Sequence, residues 1–412
     1  MKTIHIIGGG TFNYVRNHLA LATPAFGTTA KQLYDLLITE FNTSYGVELH
    51  LTKMADSTSH LVTNYDVEVL VDELIDSIDT KIVFFNAAMC DYNGSVGEIE
   101  SGKYAERLHT AENYQSMLLK PSTKLIKKIR THRKDIFLVA FKTTCGATTQ
   151  EQYLTGLNLL KANSCNLVLA NDTKNHRNMI ICPEEAKYVI TIDRQFALKE
   201  LIMMTLSRSK LTFTKSKVEP GFLEDWNSET IPDSLRTIVN YCIKQGAYKP
   251  FRGVTAGHFA VKDDKDPNVF FTSKRSSDFN KIEDVGLVKV ISTGKDNVTA
   301  FGAKPSVGGM SQRIIFSEHP EMDCIVHFHC PLRYPMKKYI PVARQWPFEC
   351  GSHECGQNTS EHLEEIEPSI KVVMLDNHGP NIVFNRNINP QQVINFIDNN
   401  FDLSDKTSGL MV

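Results

Sequence analysis

Apolar positions in the first half of the chain alternate between two rhythms. Unbroken runs at Ile4–Ile7, Lys81–Phe85, Ile136–Phe141 and Leu167–Ala170 have the length of strands buried on both faces, and Val47–Leu51 and Tyr188–Thr191 extend the series. Between them, Ala30–Thr39, Val67–Ile78, Leu125–Ile129, Glu151–Ala162 and Ala197–Ser207 carry apolar residues at helical spacing. Strands and helices joined by short connections predict a parallel sheet with helices on both faces over residues 1–208. From 209 to 230 the pattern lapses into Lys, Ser and Thr, then Glu219-Pro220-Gly221, which predicts a linker. A helix around Leu235–Gln245 then leads into strands at Phe259–Lys262, Val269–Thr272, Leu287–Ser292, Cys324–Phe328, Lys371–Leu375 and Asn381–Phe384. A helix over Pro390–Asn399 closes this second domain, 231–412, before a loose tail.

Composition narrows the class. With 412 residues, 42% of them hydrophobic, the chain is long enough for two or three packed cores, which excludes wholesale disorder. The 45 Lys and Arg nearly cancel the 47 Asp and Glu, giving a net charge of −2 and no basic footprint for nucleic acid. No apolar run reaches the roughly 18 residues of a membrane span, and the start, Met1 to Gly10, reads as a strand rather than a signal peptide. Nine Cys without a secretory signal are expected as reduced thiols, Cys324 and Cys330 among them in the core. These features predict a cytoplasmic protein with neither nucleic-acid nor membrane partners.

The strongest candidate chemistry lies in Ile325-Val326-His327-Phe328-His329-Cys330-Pro331. Strand alternation sends His327 and His329 to one face, where two imidazoles can grip one cation. A second apolar strand, Val372–Leu375, delivers His378 at the turn Asp376-Asn377-His378-Gly379. By contrast, Cys350-Gly351-Ser352-His353-Glu354-Cys355 has the spacing of no usual zinc module and reads as a loop with a helix starting at Glu354. Together these strings resemble the class II aldolase/adducin superfamily over roughly residues 235–405. The resemblance implies an α/β/α fold and a divalent cation, usually zinc, on His327, His329 and His378, polarising a carbonyl and stabilising an enediolate. It further implies a substrate phosphate near Thr255, Gly257, Ser273 and Ser306, within Gly253–His258, Phe271–Ser273 and Lys304–Ser306. Where the family reads Pro-Ser-Ser-Glu, this chain has Pro305-Ser306-Val307-Gly308, so the proton-carrying acid is replaced by Gly308. Gln312, Glu349, His353 and Glu354 are the candidates to take over its role.

In the first domain, Gly8-Gly9-Gly10-Thr11 follows the first strand as a loop whose backbone N–H groups could meet phosphate, although it is neither Gly-x-Gly-x-x-Gly nor a P-loop. Strands ending in Asn86–Tyr92, Lys142-Thr143 and Asn171-Asp172 bring polar groups to their carboxyl ends, where open α/β sheets bind ligands. This combination resembles phosphopantothenoylcysteine synthetase, the ligase of coenzyme A biosynthesis, over roughly residues 1–208. The resemblance implies a Rossmann-like domain that binds CTP or ATP with Mg²⁺ through Gly8, Gly9, Gly10, Thr11, Ala88, Asp91, Phe141, Lys142, Asn171 and Asp172. Two segments depart from the family: Leu21–Gly27 replaces the loop whose Asn holds the acyl intermediate, and Glu106-Arg107-Leu108-His109 keeps one cation of a Lys-Ile-Lys segment.

The combined expectation is a bifunctional enzyme, a ligase-like nucleotide module fused to a metal-dependent lyase module for a small phosphorylated compound. Both resemblances imply a homo-oligomer, dimer or tetramer. The competing expectation is a non-catalytic, nucleotide-sensing scaffold with an adducin-like assembly domain; Gly308 and the replaced Asn favour it, and the three histidines favour the enzyme.

Overall fold

A computed structural model describes residues 1–41, 43–109, 114–213, 215–292, 297–306, 309–333 and 339–407. Val307, Gly308 and the expected tail 408–412 lie outside these described residues. The chain divides into two compact units, one of Met1–Ile181 with Val189–Ser209 and one of Cys182–Tyr188 with Lys210–Val412.

In the first unit the chain runs β1 (Thr3–Gly10), α1 (Thr28–Thr39), β2 (Gly46–Leu51), α2 (Asn64–Asp76), β3 (Thr80–Ala88), α3 (Ile126–His132), β4 (Phe137–Thr144), α4 (Thr149–Asn163), β5 (Leu167–Asp172), β6 (Asn178–Ile181), β7 (Lys187–Thr191) and α5 (Arg194–Arg208). Its sheet has the order β7-β6-β5-β4-β3-β1-β2, parallel from β5 to β2, with β6 antiparallel to β5. The five parallel strands therefore follow the doubly wound order 2-1-3-4-5, whose direction of winding reverses between β1 and β3. Helix α1 packs with α5, while α2 packs with α3 and α3 with α4. Capping boxes at Thr63 with Asp66 and at Thr148 with Glu151 start α2 and α4.

The expected glycine loop is strand. β1 continues to Gly10 because its neighbours approach more closely than any side chain allows: a Cβ would lie 2.2 Å from Ala30 Cβ at Gly8 and 2.0 Å from the Thr23 carbonyl at Gly10. Residues 92–96 and 117–121 pair as a small antiparallel ribbon.

The second unit contains β8 (Lys215–Glu219), α6 (Asp233–Lys244), β9 (His258–Lys262), β10 (Val269–Ser273), β11 (Leu287–Ser292), β12 (Asn297–Phe301), α7 (Gly309–Glu318), β13 (Cys324–His327), β14 (Val342–Ala343), α8 (His353–Glu361), β15 (Glu364–Glu367), β16 (Ile370–Leu375), β17 (Gly379–Phe384) and α9 (Pro390–Asn400). Its sheet runs β8-β12-β11-β10-β9-β13-β17-β16-β14, with β15 also on β16, and is antiparallel except at β8/β12 and β14/β16. Strand β8 falls where the hydrophobic pattern lapses, since an edge strand reading Lys-Ser-Lys-Val-Glu shows no apolar run. Alternation divides the sheet cleanly. Phe259, Val326, Ile382 and Val372 meet α6 and α9 on one face; Ala260, Ile325, Val383 and Val373 meet α7 on the other. The result is a three-layer α/β/α unit.

Candidate metal centre

Ladder register determines which side chains share the α7 face. His258 on β9 lies opposite His327 on β13, and His327 lies opposite Asn381 on β17. Residues directly opposite in an antiparallel ladder point the same way, so His258, His327 and Asn381 form a polar row in the same layer as Ile325 and Val383. All three are almost wholly buried. Beyond the end of β13, Phe328 returns to the opposite core and His329 comes back toward His327, with ring centroids 5.1 Å apart. His378 enters from the turn between β16 and β17, where the Leu375 carbonyl accepts from His378 N (3.0 Å) and Asn377 takes φ +56.

One donor atom from each of His327, His329 and His378 lies within 4.8 Å of the other two, and His327 Nε2 is 3.3 Å from His378 Nε2. Two ligands about 2.0–2.1 Å from a tetrahedral zinc stand about 3.3 Å apart, so this edge already has the spacing of a shared cation. His327 Nδ1 donates to the Pro380 carbonyl (2.7 Å), which orients the ring and leaves the Nε2 lone pair facing the other imidazoles. Burial lowers the pKa of His327 to about 4, and the Pro380 carbonyl opposes that only in part, so the ring is neutral at pH 7, as ligation requires. The residues present fit a divalent cation.

Two glycines let the backbone close around this point. A Cβ on Gly257 (φ +107) would lie 2.5 Å from the His327 carbonyl, and one on Gly379 would lie 2.0 Å from the Phe328 carbonyl. Gly257 thus has a packing role; the phosphate role is what the family resemblance implied.

Among the acid candidates, Gln312 is wholly buried and its Nε2 donates to His258 Nδ1 (2.7 Å); the His258 ring in turn lies 4.7 Å from that of His327. His258 and Asn381 are the members of this row that sequence reasoning missed as site residues, because register between strands cannot be read from one strand. The Glu354 carboxylate is engaged elsewhere, accepting from the Thr212 backbone N–H at 3.0 and 3.1 Å. His353 follows the N-cap Ser352 of α8, and Glu349 is half-buried in the preceding loop. Ser273 and Ser306 are brought together, Ser306 N donating to the Ser273 carbonyl (2.8 Å), and both buried hydroxyls lack a protein partner. Thr255 is different: its hydroxyl donates to the Ser277 carbonyl and accepts from Phe279 N.

In the first unit, a cavity of 610 Å³ is lined by Phe12–Tyr14 just past β1, Thr63–Asp66 at the start of α2, and Asn93 past β3, among others. It therefore opens at the carboxyl ends of β1 and β3, the switch point of the winding order. None of the ten nucleotide candidates lines it. Thr11 adjoins it: it accepts from Cys90 N (2.8 Å) and donates to Asn64 Oδ1 (2.6 Å), and Asn64 is in the lining. Asp91 pairs with Lys124. Burial alone would raise the pKa of Asp172, but the N–H groups of Asn175, Ala147 and Gly146 and the Thr144 hydroxyl hold it well below the usual carboxylate range. Its carboxylate thus organises the loop between β4 and α4. Asn171 accepts from Thr143 (3.3 Å), beside Phe141 and Lys142 on β4.

Residues 237–388 match the family described as Class II Aldolase and Adducin N-terminal domain. Comparison with curated protein sequences finds no match. Among solved structures, the DNA/pantothenate metabolism flavoprotein from Streptococcus pneumoniae is similar over 50% of this chain and 99% of its own, at 17% identity and TM-score 0.41. The C-terminal domain of the coenzyme A biosynthesis bifunctional protein CoaBC aligns over 50% of this chain and 94% of its own, at 14% identity and TM-score 0.36. An L-fuculose 1-phosphate aldolase aligns over 40% of this chain and 81% of its own, at 19% identity and TM-score 0.30. The family likeness of the chain is thus confined to residues 237–388, within the second unit.

Proposed function

We propose that the second unit is a metal-dependent lyase module, with boundaries near 231–412, that acts on a small phosphorylated compound. The observation that carries this reading is the convergence of His327, His329 and His378 on one point, with His327 already oriented by Pro380. A divalent cation, zinc by preference for three imidazoles, would polarise a substrate carbonyl there. The protein's own part is to hold three neutral rings, exclude water with the buried row of His258, His327 and Asn381, and offer Ser273 and Ser306 hydroxyls to an anion. Gln312 fixes His258 by donating to its Nδ1, which leaves the proton of the neutral ring on Nε2. That N–H is the group we assign to proton handling in place of the acid missing at Gly308.

The first unit, with boundaries near 1–208, is proposed to take CTP or ATP with Mg²⁺ at the switch point, as part of a ligase-like reaction. The cavity at the carboxyl ends of β1 and β3, with Lys103 in its lining, supports a ligand there.

The test is cleavage of a panel of sugar phosphates and the matching neutral sugars by the full chain, with metal content measured before and after chelation. Turnover of phosphorylated compounds that disappears with the metal and returns with zinc is expected. Unchanged turnover after chelation would overturn the reading; metal retention without turnover of any compound would favour the scaffold.

A further inference from the structure

The first unit holds a second convergence of ligating atoms, outside the switch-point cavity. On the parallel pair β1/β2, His5 lies in register with Glu48, and His50 follows Glu48 by two residues, so Glu48 and His50 share a face. Gly8 points its missing Cβ at Ala30 of α1, so the odd-numbered residues of β1, His5 included, face the other side. There the three side chains meet. His5 Nδ1 is 3.1 Å from His50 Nε2 and 3.3 Å from Glu48 Oε2, and His50 Nε2 is 3.6 Å from the same oxygen.

We infer that His5, His50 and Glu48 form a binding site for a borderline divalent cation of the zinc class, distinct from the three-histidine centre. The spacing supports this first. The three edges bracket the roughly 3.3 Å that separates ligands on a tetrahedral cation with bonds near 2.0–2.1 Å. Orientation supports it next: the Thr80 hydroxyl stands 3.4 Å from His5 Nε2, on the far side of the ring, which turns Nδ1 toward the other two donors. Donor chemistry then selects the ion. Two imidazoles and one carboxylate suit zinc, cobalt or ferrous iron, whereas magnesium and calcium prefer oxygen alone. Burial holds His5 neutral at pH 7, with a pKa lowered to about 4 despite Glu48. Glu48 and His50 are partly exposed, so a cation can reach the site from solvent and keep a water ligand.

The expected role is a clip. β2 is the edge strand of its sheet, and a cation bridging His5 to Glu48 and His50 ties it to β1 by side chains as well as by the ladder.

The experiment uses the full chain carrying His329→Ala, which disables the other centre and makes the outcome independent of the lyase reading. Zinc titration followed by elemental analysis should find one cation per chain in His329→Ala, and none in His329→Ala/His50→Ala. Glu48→Gln in the same background should weaken zinc binding by more than the 10- to 100-fold typical for loss of an outer partner. Zinc should raise the Tm of His329→Ala and leave that of the double variant unchanged. Both added substitutions lie at partly exposed positions, and circular dichroism checks that each variant is folded. A His329→Ala protein that binds no zinc, or zinc that survives both added substitutions, would overturn the inference and leave an N–H···N hydrogen bond between the two rings.

Discussion

His327 shows how much a single buried ring can carry. Its pKa falls from the ordinary 6.5 to about 4 because burial penalises the imidazolium. The unfolded chain therefore binds a proton below pH 6.5 that the folded chain refuses until about pH 4, so stability is fully present above 6.5 and is lost as pH falls through that window. Metal-free protein should lose about 3 kcal/mol from this residue alone between pH 7 and pH 4. Urea unfolding at both pH values measures it, and His327→Gln should flatten the slope. Nearby, the two partnerless hydroxyls of Ser273 and Ser306 predict that Ser273→Ala weakens binding of a phosphorylated ligand by about 1.5–3 kcal/mol. Thr255, whose hydroxyl already serves Ser277 and Phe279, should instead lose stability when replaced by Val. Calorimetric titration with inorganic phosphate separates the two; equal affinity in wild type and Ser273→Ala would remove Ser273 from the anion site.

Among the elements, the antiparallel ladders of the second unit decide the site. Gly379 starts β17 directly against the Phe328 carbonyl, so Gly379→Ala must push β17 away from the His-x-His segment. We expect about 2–3 kcal/mol of destabilisation and loss of the bound cation, measured by thermal unfolding and elemental analysis. An unchanged Tm would mean that the strand moves freely. Spacing along one strand made His327 and His329 legible in the sequence, and His378 was legible from its turn. What sequence could not supply is neighbourhood: His258 joins His327, and His5 joins His50, only through pairing between strands distant in the chain. Gly8–Gly10 read as a loop because glycine signals a turn as often as it signals close packing, and here Ala30 and Thr23 use the space. Buried strands were legible as apolar runs, whereas the edge strand β8 was hidden by its alternating charges.

Over the molecule as a whole, the chain folds as two compact units to which different chemistries are proposed, and among the described residues no helix is long and apolar enough to cross a membrane. Ligands specific to each unit should therefore be separable. CTP or ATP with Mg²⁺ should bind the full chain at one site and persist in His329→Ala, while removal of zinc by a zinc-selective chelator, with Mg²⁺ kept in excess, should leave nucleotide affinity within about twofold. Isothermal titration with both nucleotides checks this; silence with both would leave the first unit without the proposed ligand. The row of His258, His327 and Asn381 has one more consequence. Because side chains in a strand alternate faces, slipping β13 by a single residue would turn His327 toward α6 and α9 and bring Val326 or Phe328 into its place. A misaligned sheet thus has no three-histidine centre to fill. With the proposed cation bound, the fraction of refolded chains that retain it would count the correctly registered molecules, and the metal would inspect its own fold.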